Sequence, residues 1–291
     1  MTLHEAGQLL LLEIKAMKLS PKTAEFYANR CAYFTRSLGA VPVDRITIHD
    51  LRQLLADSPA RSARHNYIAI RRLFGFLLAE DIISVNPALR LNSPKVPQRV
   101  VHPFSVAEMI AMMNAARRQQ GWTAVRDTAI FATLIGTGIR RAELCGLTDE
   151  DVDLKAGILK VLGKGNRERC IPLPTKLCKI LLRYTFDRRA TRVYGSAVCS
   201  FFFRDRFGGP LTPNALTRII RRLGKSIGIK AWPHRARHSF ATYFMDNAGA
   251  DLQILQELCG WSSLEMSLRY VKPSRRRVRD SLEGFSPVNL L

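Results

Sequence analysis

The chain is poor in paired cysteines, in long apolar runs and in acidic residues, and each shortage excludes a class of protein. Its six cysteines form no CxxC pair, so neither a zinc site nor a disulfide framework fits, and we expect buried or half-buried reduced thiols. No apolar run reaches about 18 residues, and the N-terminus lacks a signal-peptide pattern. These absences predict a cytoplasmic protein with no membrane partner.

The shortage of acid leaves a large positive charge. The 291 residues include 45 Lys and Arg against 24 Asp and Glu, a formal net charge of +21. Residues 1–103 carry 14 basic and 8 acidic side chains, and residues 104–291 carry 31 and 16. Such a field attracts polyanions, and contacts with phosphates gain affinity by releasing counterions. We therefore expect both halves of the chain to contact the same polyanion.

Residues 1–90 are predicted to be entirely helical. Ser20 followed by proline is typical of a helix start, and the run 23–38 contains no breaker. Further helices are predicted at 47–55 and 62–78 from their capping and apolar spacing. Candidate contacts with that polyanion lie along this third helix and just before it: Arg61, Arg64, Arg71 and Arg72.

A stiff linker is predicted at 91–103, where three prolines interrupt any apolar periodicity. Ser105 and Glu108 then form a capping-box pattern that opens a second domain, 104–291. This domain is expected to be mostly helical, with one helix at 127–134 and others from 212 onward. Segments 158–162 and 169–173 are predicted strands joined by a glycine-rich turn. The fold class is thus mainly α with a small antiparallel β-sheet in the second domain.

Two segments carry residues suited to holding a phosphate. In Thr137–Leu144, Arg140 could grip phosphate oxygens and be oriented by Glu143, three positions later. In the second segment His234 and Arg237 share one helical face, so that a proton carrier lies beside a phosphate ligand. The same residues could also be an ordinary solvated arginine and a surface histidine with no role in chemistry. His238, which directly follows Arg237, is expected to make a structural hydrogen bond.

Three further positions complete the set. Lys164 lies at the turn of the predicted hairpin, where it could reach into a groove or simply face solvent. The neighbouring Arg167 and Arg169 could contact phosphates without taking part in chemistry. Trp261 offers an indole N–H, which can donate a hydrogen bond but cannot move a proton. Tyr270 is one of seven tyrosines, most of which serve packing in any protein.

Taken together, these segments resemble the tyrosine site-specific recombinases of the phage-integrase type. The resemblance covers essentially the whole chain, because this family joins a helical core-binding domain to a catalytic domain through a linker. It implies a core-binding domain at 1–90, a linker at 91–103 and a catalytic domain at 104–291. The matching motifs are Thr137–Leu144, Gly163-Lys164-Gly165, His234–His238, and Leu258–Trp261 with Tyr270 nine residues later.

The resemblance also implies how protons and bonds move. Tyr270 would attack the scissile phosphate to give a 3′-phosphotyrosyl link and a free 5′-hydroxyl. Lys164 would protonate the leaving oxygen, and His234 would act as base on the tyrosine. Because the covalent link conserves the bond energy, neither ATP, a metal nor another cofactor is expected.

The remaining residues of the set would stabilise charge. Arg140 and Arg237 would bind the transition state, helped by the indole of Trp261, with Glu143 and His238 in support. Most family members have histidine at the position of Trp261. Since an indole cannot transfer a proton, the departure removes any proton-transfer role there.

The family resemblance implies an assembly on DNA. Four protomers would act on two short inverted-repeat core sites of double-stranded DNA through a Holliday junction, while the free protein is a monomer or weak oligomer. The apolar tail, about 280–291, would dock on a neighbouring subunit, although folding back on its own domain stays open. An accessory DNA-bending protein or a partner recombinase could take part. We expect a protein associated with the nucleoid and encoded by a bacterium, archaeon, phage or mobile element.

Two other functions remain open from the sequence. A type IB topoisomerase or telomere resolvase would share the chemistry, although the short two-domain layout argues against both. A DNA-binding regulator with an inactive recombinase fold would share the architecture without the reaction. Workable residues at all six expected positions argue against that reading.

Overall fold

The structure is a computed structural model that describes residues 1–95, 101–163, 168–190, 199–246 and 251–261, together with positions 279, 283 and 288. By its internal contacts the chain divides into two compact units, Met1–Arg99 and Val100–Leu291. None of the helices in these described ranges is long and apolar enough to span a membrane.

The first unit is helical throughout its described part. Thr47 caps its third α-helix through a reciprocal capping box with Asp50, and Ser20 caps the second by accepting a hydrogen bond from the Thr23 N–H. Both starts agree with the sequence prediction. The α-helices are α1 (Leu3–Ala16), α2 (Pro21–Leu38), α3 (Ile48–Ala56) and α4 (Ala60–Ala79), and short 3-10 helices occupy Val43–Arg45 and Pro87–Arg90.

The core of the first unit lies where α1, α2 and α4 pack together. Leu10 of α1, Phe34 of α2 and Phe74 of α4 are almost completely buried. The predicted apolar face of α4 is confirmed by Ile70 and Leu77, which are also buried. Burial of this stripe is the main stabilising term, since each large apolar side chain contributes about 1.5–3 kcal/mol.

The second unit surrounds a central helix with other helices and a small sheet. Its capping box at Ser105 and Glu108 forms as predicted. The described residues hold one three-stranded antiparallel sheet in the order β1-β2-β3, so the predicted fold class is confirmed. The elements are α5 (Val106–Arg117), α6 (Trp122–Thr137), α7 (Arg141–Gly146), β1 (Val152–Asp153), β2 (Ile158–Leu162), β3 (Glu168–Pro172), α8 (Thr175–Ala190), α9 (Pro213–Ser226), α10 (Pro233–Asp246) and α11 (Leu252–Cys259).

Helix α6 is the central element of this unit. It packs against α5, α8 and α10, and residues such as Ile130, Phe131 and Leu134 are fully buried. Its predicted extent, 127–134, is shorter than the observed one because the first turn, from Trp122, has little apolar periodicity of its own. Arg126 lies above the Trp122 ring at 4.6 Å and pairs with buried Asp127, which places charge in that turn.

The hairpin of β2 and β3 fixes which side chains face the core. Val161 pairs with Arg169 in the antiparallel register, and side chains alternate between the two faces of a strand. Ile171 is buried, so Arg169, two positions earlier, lies on the same inward face. The intervening Cys170 is therefore exposed, and the expectation of a buried or half-buried thiol is wrong for this cysteine.

A steric test of α9 follows from Gly224. A Cβ on this buried residue would lie 2.5 Å from the Ala231 Cβ and 2.8 Å from the Ile229 carbonyl oxygen. Gly224→Ala should therefore lower the free energy of unfolding of the second unit by about 1–3 kcal/mol through overpacking. Urea unfolding followed by tryptophan fluorescence measures this unit alone, because all three tryptophans lie within residues 122–261.

Gly146→Ala is the matched control. Gly146 is also helical, but a Cβ there meets nothing within 4 Å. This change should be neutral or stabilising, since alanine loses less conformational freedom on folding. Equal destabilisation by both substitutions would contradict the packing described for α9.

Candidate active site

The turn between α6 and α7 places Arg140. Gly138 ends α6 in the left-handed conformation at φ 63°, and a Cβ there would lie 2.3 Å from the Phe240 ring. Only glycine satisfies both the backbone angle and this close packing. Arg140 then occupies the N-cap of α7, with its side chain about one-third exposed, at 35%.

Glu143 binds Arg140 twice, as the spacing of the two residues in the sequence predicted. One carboxylate oxygen accepts from the Arg140 backbone N–H at 2.7 Å, and the other accepts from Arg140 Nη1 at 2.7 Å. The same carboxylate also receives the fork of Arg169, at 3.1 Å and 2.8 Å. Glu143 thus joins the start of α7 to strand β3.

Helix α11 ends in a Schellman motif. Gly260 adopts the left-handed conformation, its N–H donates to the Glu257 carbonyl, and the Trp261 N–H donates to the Gln256 carbonyl. The next three carbonyls, 258–260, have no partner within the helix because its N–H groups end there. They form the negative end of the helix dipole, which favours cations.

Three arginines from three different elements satisfy these three carbonyls. Arg140 comes from the start of α7, Arg169 from β3 and Arg237 from α10. We call this set the arginine clamp. Its bonds are Arg169 Nε to the Leu258 oxygen at 2.9 Å, Arg237 Nη2 to the Cys259 oxygen at 2.7 Å, and Arg140 Nη2 to the Gly260 oxygen at 2.6 Å.

Arg237 is the most deeply buried member of the arginine clamp. The residue is only 3% exposed, and its Nη1 donates to the Gly138 carbonyl at 2.7 Å. Its guanidinium lies 5.4 Å from the centre of the Trp261 ring. Trp261 is half-buried and packs with the small apolar cluster of α10 and α11. The structure therefore brings Arg140, Arg237 and Trp261 together around the end of α11.

The two histidines of α10 have different surroundings. Burial, then the positive charges of Arg237, His238 and Arg140, lowers the pKa of His234 below its ordinary value. Its imidazole is thus neutral at physiological pH and can accept a proton. Burial also lowers the pKa of His238, which hydrogen-bonds the backbone of Val101. That bond fits the structural role expected for His238.

Several predicted residues lie outside the described part of the chain. Lys164 and Arg167, in the β2–β3 turn, are among them, as is Tyr270. The tail is described only at the single positions 283 and 288. For these residues the roles drawn from the sequence remain proposals.

The arginines predicted to contact DNA in the first unit have partners of their own. Arg71 donates to the carbonyls of Ala88 and Leu89, and Arg72 pairs with Glu13 at 3.0 Å. Arg64 is exposed, and Arg61 lies in α4 with its side chain outside the described part. The bonds of Arg71 and Arg72 leave further donors on each guanidinium, because arginine has five N–H groups.

Arg169 differs from its prediction. Its side chain is only 8% exposed and is committed to Glu143 and the helix end, which argues against the phosphate contact expected from its position beside the turn. The alternation of β3 was the signal that could have shown this, because Ile171 must face the core and Arg169 shares its face.

Helix α9 carries a basic surface that the sequence analysis did not predict. Apolar residues including Leu216, Ile220 and Leu223 are buried on one side of this helix. The opposite side exposes Arg218, Arg221, Arg222 and Lys225. Alternating apolar and basic residues from 216 to 225 were the signal that could have revealed it.

Comparison with known proteins identifies the class. The model of the phage integrase family matches residues 103–277. Tyrosine recombinase XerC of Thermodesulfovibrio yellowstonii is 32% identical over 81% of this chain and 79% of that protein, and tyrosine recombinase XerD of Yersinia pestis is 33% identical over 84% and 83%. The Tn1549 transposon integrase, solved in complex with transposon right end DNA, shares the fold with a TM-score of 0.81 and 20% identity over 98% of this chain and 100% of that one.

The chain belongs to the phage integrase family. It is an enzyme of the tyrosine recombinase class, in the part of that class that includes XerC and XerD. The family resemblance drawn from the sequence motifs is thereby confirmed.

Glu143→Gln tests the carboxylate that joins α7 and β3. Burial raises the pKa of Glu143, but hydrogen bonds from Arg169 and Arg140 outweigh it and hold the pKa below the ordinary 4.5. The substitution should lower the free energy of unfolding at pH 7 by about 3 kcal/mol, since it leaves two cations without their counter-charge. Urea unfolding at a series of pH values measures the effect.

The pH dependence has a definite sign. A carboxyl whose pKa is lowered by folding contributes its stability above the unfolded value near 4.5, and this contribution is lost as pH falls through the folded value. The gap between wild type and Glu143→Gln should therefore narrow below that pH. Exposed Glu150→Gln, as control, should change stability by less than about 0.5 kcal/mol. A gap that stays constant down to pH 3 would contradict an ionised Glu143 in the fold.

Proposed function

We propose that this enzyme is a site-specific DNA recombinase that cuts and rejoins strands through a 3′-phosphotyrosyl intermediate. The observation that carries the proposal is the convergence of Arg140 and Arg237 on the end of α11, immediately before the segment that contains Tyr270. Names of relatives support the same reaction class, and the net charge of +21 supports a DNA substrate.

The two guanidiniums retain donors for a phosphate. Among the described contacts Arg140 and Arg237 each use two of their five N–H groups on protein oxygens. The remaining three N–H groups of each guanidinium can bind the non-bridging oxygens of a phosphodiester as charge develops in the pentavalent transition state. Because the first two bonds fix each fork, little reorganisation is needed when the phosphate arrives.

Arg237 gains strength from its surroundings. Its deep burial lowers the local dielectric, so its attraction for a phosphate exceeds that of a solvated arginine. Arg140 is more exposed and offers the open side of the site. The indole of Trp261, beside Arg237, adds a neutral donor to the same group of oxygens.

Proton transfer divides between two residues. His234 is neutral at physiological pH and accepts the proton of the Tyr270 hydroxyl as that oxygen attacks phosphorus. Lys164, on the hairpin turn, donates a proton to the 5′ oxygen as the P–O bond breaks. In the reverse step the 5′-hydroxyl of a partner strand attacks the phosphotyrosine and gives its proton to the neutral amine of Lys164, while His234 returns its proton to the leaving tyrosine oxygen. No net bond energy is lost, so the ligation needs no external energy source.

The architecture favours action as an assembly. Four protomers on two core sites of double-stranded DNA would exchange strands through a Holliday junction, with the tail docking on the neighbouring subunit. Val288, in that tail, is 71% exposed, which leaves an apolar side chain available to a neighbour. The helical domain at 1–90 and the catalytic domain at 104–291, joined by the linker at 91–103, would each contact the DNA. Exposed basic residues of α9 are further candidates for the phosphate backbone.

Tyr270→Phe tests the nucleophile. The wild type should form a covalent adduct on a nicked duplex that carries the site it selects from random-sequence DNA, and the variant should form none. A denaturing gel measures the adduct. Tyr184→Phe is the matched control, because Tyr184 is buried and hydrogen-bonds the Phe202 carbonyl, so its variant should still form the adduct.

Other results would redirect the assignment. An adduct that persists in Tyr270→Phe would place the nucleophile elsewhere. Specific binding without any wild-type adduct would favour the inactive DNA-binding regulator.

His234 predicts the pH profile of cleavage. Because its pKa lies below 6.5, the adduct-forming rate should be independent of pH near neutrality and fall only in more acidic buffers. His234→Gln should lose about 100-fold in rate and should also lose this acidic limb. Single-turnover rates between pH 5 and 8 on the nicked duplex measure both. An acidic limb that survives in His234→Gln would assign the base role to another group.

A further inference from the structure

We infer that Arg169 is a positioning residue for DNA cleavage, setting both the phosphate-binding Arg140 and the helix end that precedes the nucleophile. The inference rests on the proposed cleavage reaction. It differs from a DNA-contact role, because Arg169 is proposed to act only through other protein groups.

The contacts of Arg169 all run to the site. Its Nη1 and Nη2 donate to the two oxygens of Glu143 at 3.1 Å and 2.8 Å, and its Nε donates to the Leu258 carbonyl at 2.9 Å. One planar group therefore holds a carboxylate and a backbone oxygen in a fixed relation. The carboxylate in turn holds Arg140, so the path from β3 to the phosphate ligand contains a single intermediate residue.

Exposure separates Arg169 from the arginines expected to touch phosphate. Its side chain is 8% exposed, whereas that of Arg140 is 35% exposed. Three of its five N–H groups are used on the protein in a geometry that lysine cannot reproduce, since an ammonium lacks the planar fork. A buried guanidinium with this bonding pattern fixes its neighbours rather than recruiting DNA.

Arg169 also links strand β3 to the end of α11. It lies five residues after Lys164 on the hairpin and bonds the helix whose end leads to Trp261 and Tyr270. Gly260 passes so close that a Cβ there would lie 3.0 Å from Arg169 Nη1. Arg169 and the end of α11 are therefore tightly packed, and we infer that displacing Arg169 displaces this helix end.

The test compares Arg169→Lys and Arg169→Gln with a matched control, Arg188→Gln. Arg188 is also a buried arginine, 9% exposed, that holds a carboxylate, Asp149, and a backbone carbonyl, Phe202, but it has no bond to the clamp. Single-turnover adduct formation, DNA affinity and thermal melting are measured on the full chain with the nicked duplex described above. Both Arg169 variants should cleave about 100-fold more slowly with DNA affinity within twofold of wild type. The control should melt earlier but cleave at the wild-type rate.

A second substrate separates positioning of the phosphate site from positioning of Lys164. In a 5′-bridging phosphorothiolate, sulfur replaces the leaving oxygen, so the P–S bond breaks to release a thiolate that needs no proton from an acid. The cleavage rate of Lys164→Ala should therefore return towards that of the wild type on this substrate. The Arg169 variants should remain slow, as should Arg140→Lys, because charge on the non-bridging oxygens still requires an ordered Arg140.

Four results would overturn the inference. These are wild-type cleavage rates in folded Arg169 variants, full recovery on the phosphorothiolate, a loss of DNA affinity as large as the loss of rate, and failure of both variants to fold. Full recovery on the phosphorothiolate would mean that Arg169 positions only Lys164. A matching loss of DNA affinity would restore the prediction that Arg169 contacts DNA. Failure to fold would make Arg169 a residue needed for folding rather than for cleavage. Failure of the wild type to form an adduct would instead overturn the proposed function.

Discussion

The second unit depends on how the carbonyl groups at the end of one helix find hydrogen-bond donors. Carbonyls 258–260, left over where α11 stops, accept hydrogen bonds from Arg169, Arg237 and Arg140 in turn. A helix end of this kind could be satisfied by water, at little cost to stability. Arginines at these carbonyls make the guanidinium groups structural parts of the fold, so their geometry is set by the protein itself.

Glu143 makes the concentration of positive charge tolerable. Three guanidiniums in one region repel each other, and one buried carboxylate that binds two of them offsets much of that repulsion. The third, Arg237, donates hydrogen bonds only to backbone carbonyls among the described contacts, so no carboxylate neutralises it directly there. Burial, together with the positive charges of Arg237 and Arg140, also lowers the pKa of His234, so the same surroundings set the charge state of its imidazole.

Local patterns predicted helices such as α2, α3 and α4, and the pairing of Arg140 with Glu143, because caps and three-residue spacing are local properties, but they missed α8. They also predicted the β2–β3 hairpin to within one residue. The partners of Arg169 lie 26 and 89 positions away along the chain, which no local pattern records. Its charge suggested DNA, whereas the two-residue alternation with Ile171 pointed inward. A charged residue that shares a strand face with a buried aliphatic one is better assigned by the face than by the charge.

The separations along the chain have a consequence for synthesis. Arg140 meets its carbonyl 120 positions later, and Arg237 joins residues 138 and 259. Contacts of such long range close late, because the loop entropy must be overcome first. A growing polypeptide with Arg140 already in place therefore has no assembled site until residue 260 has been made and packed.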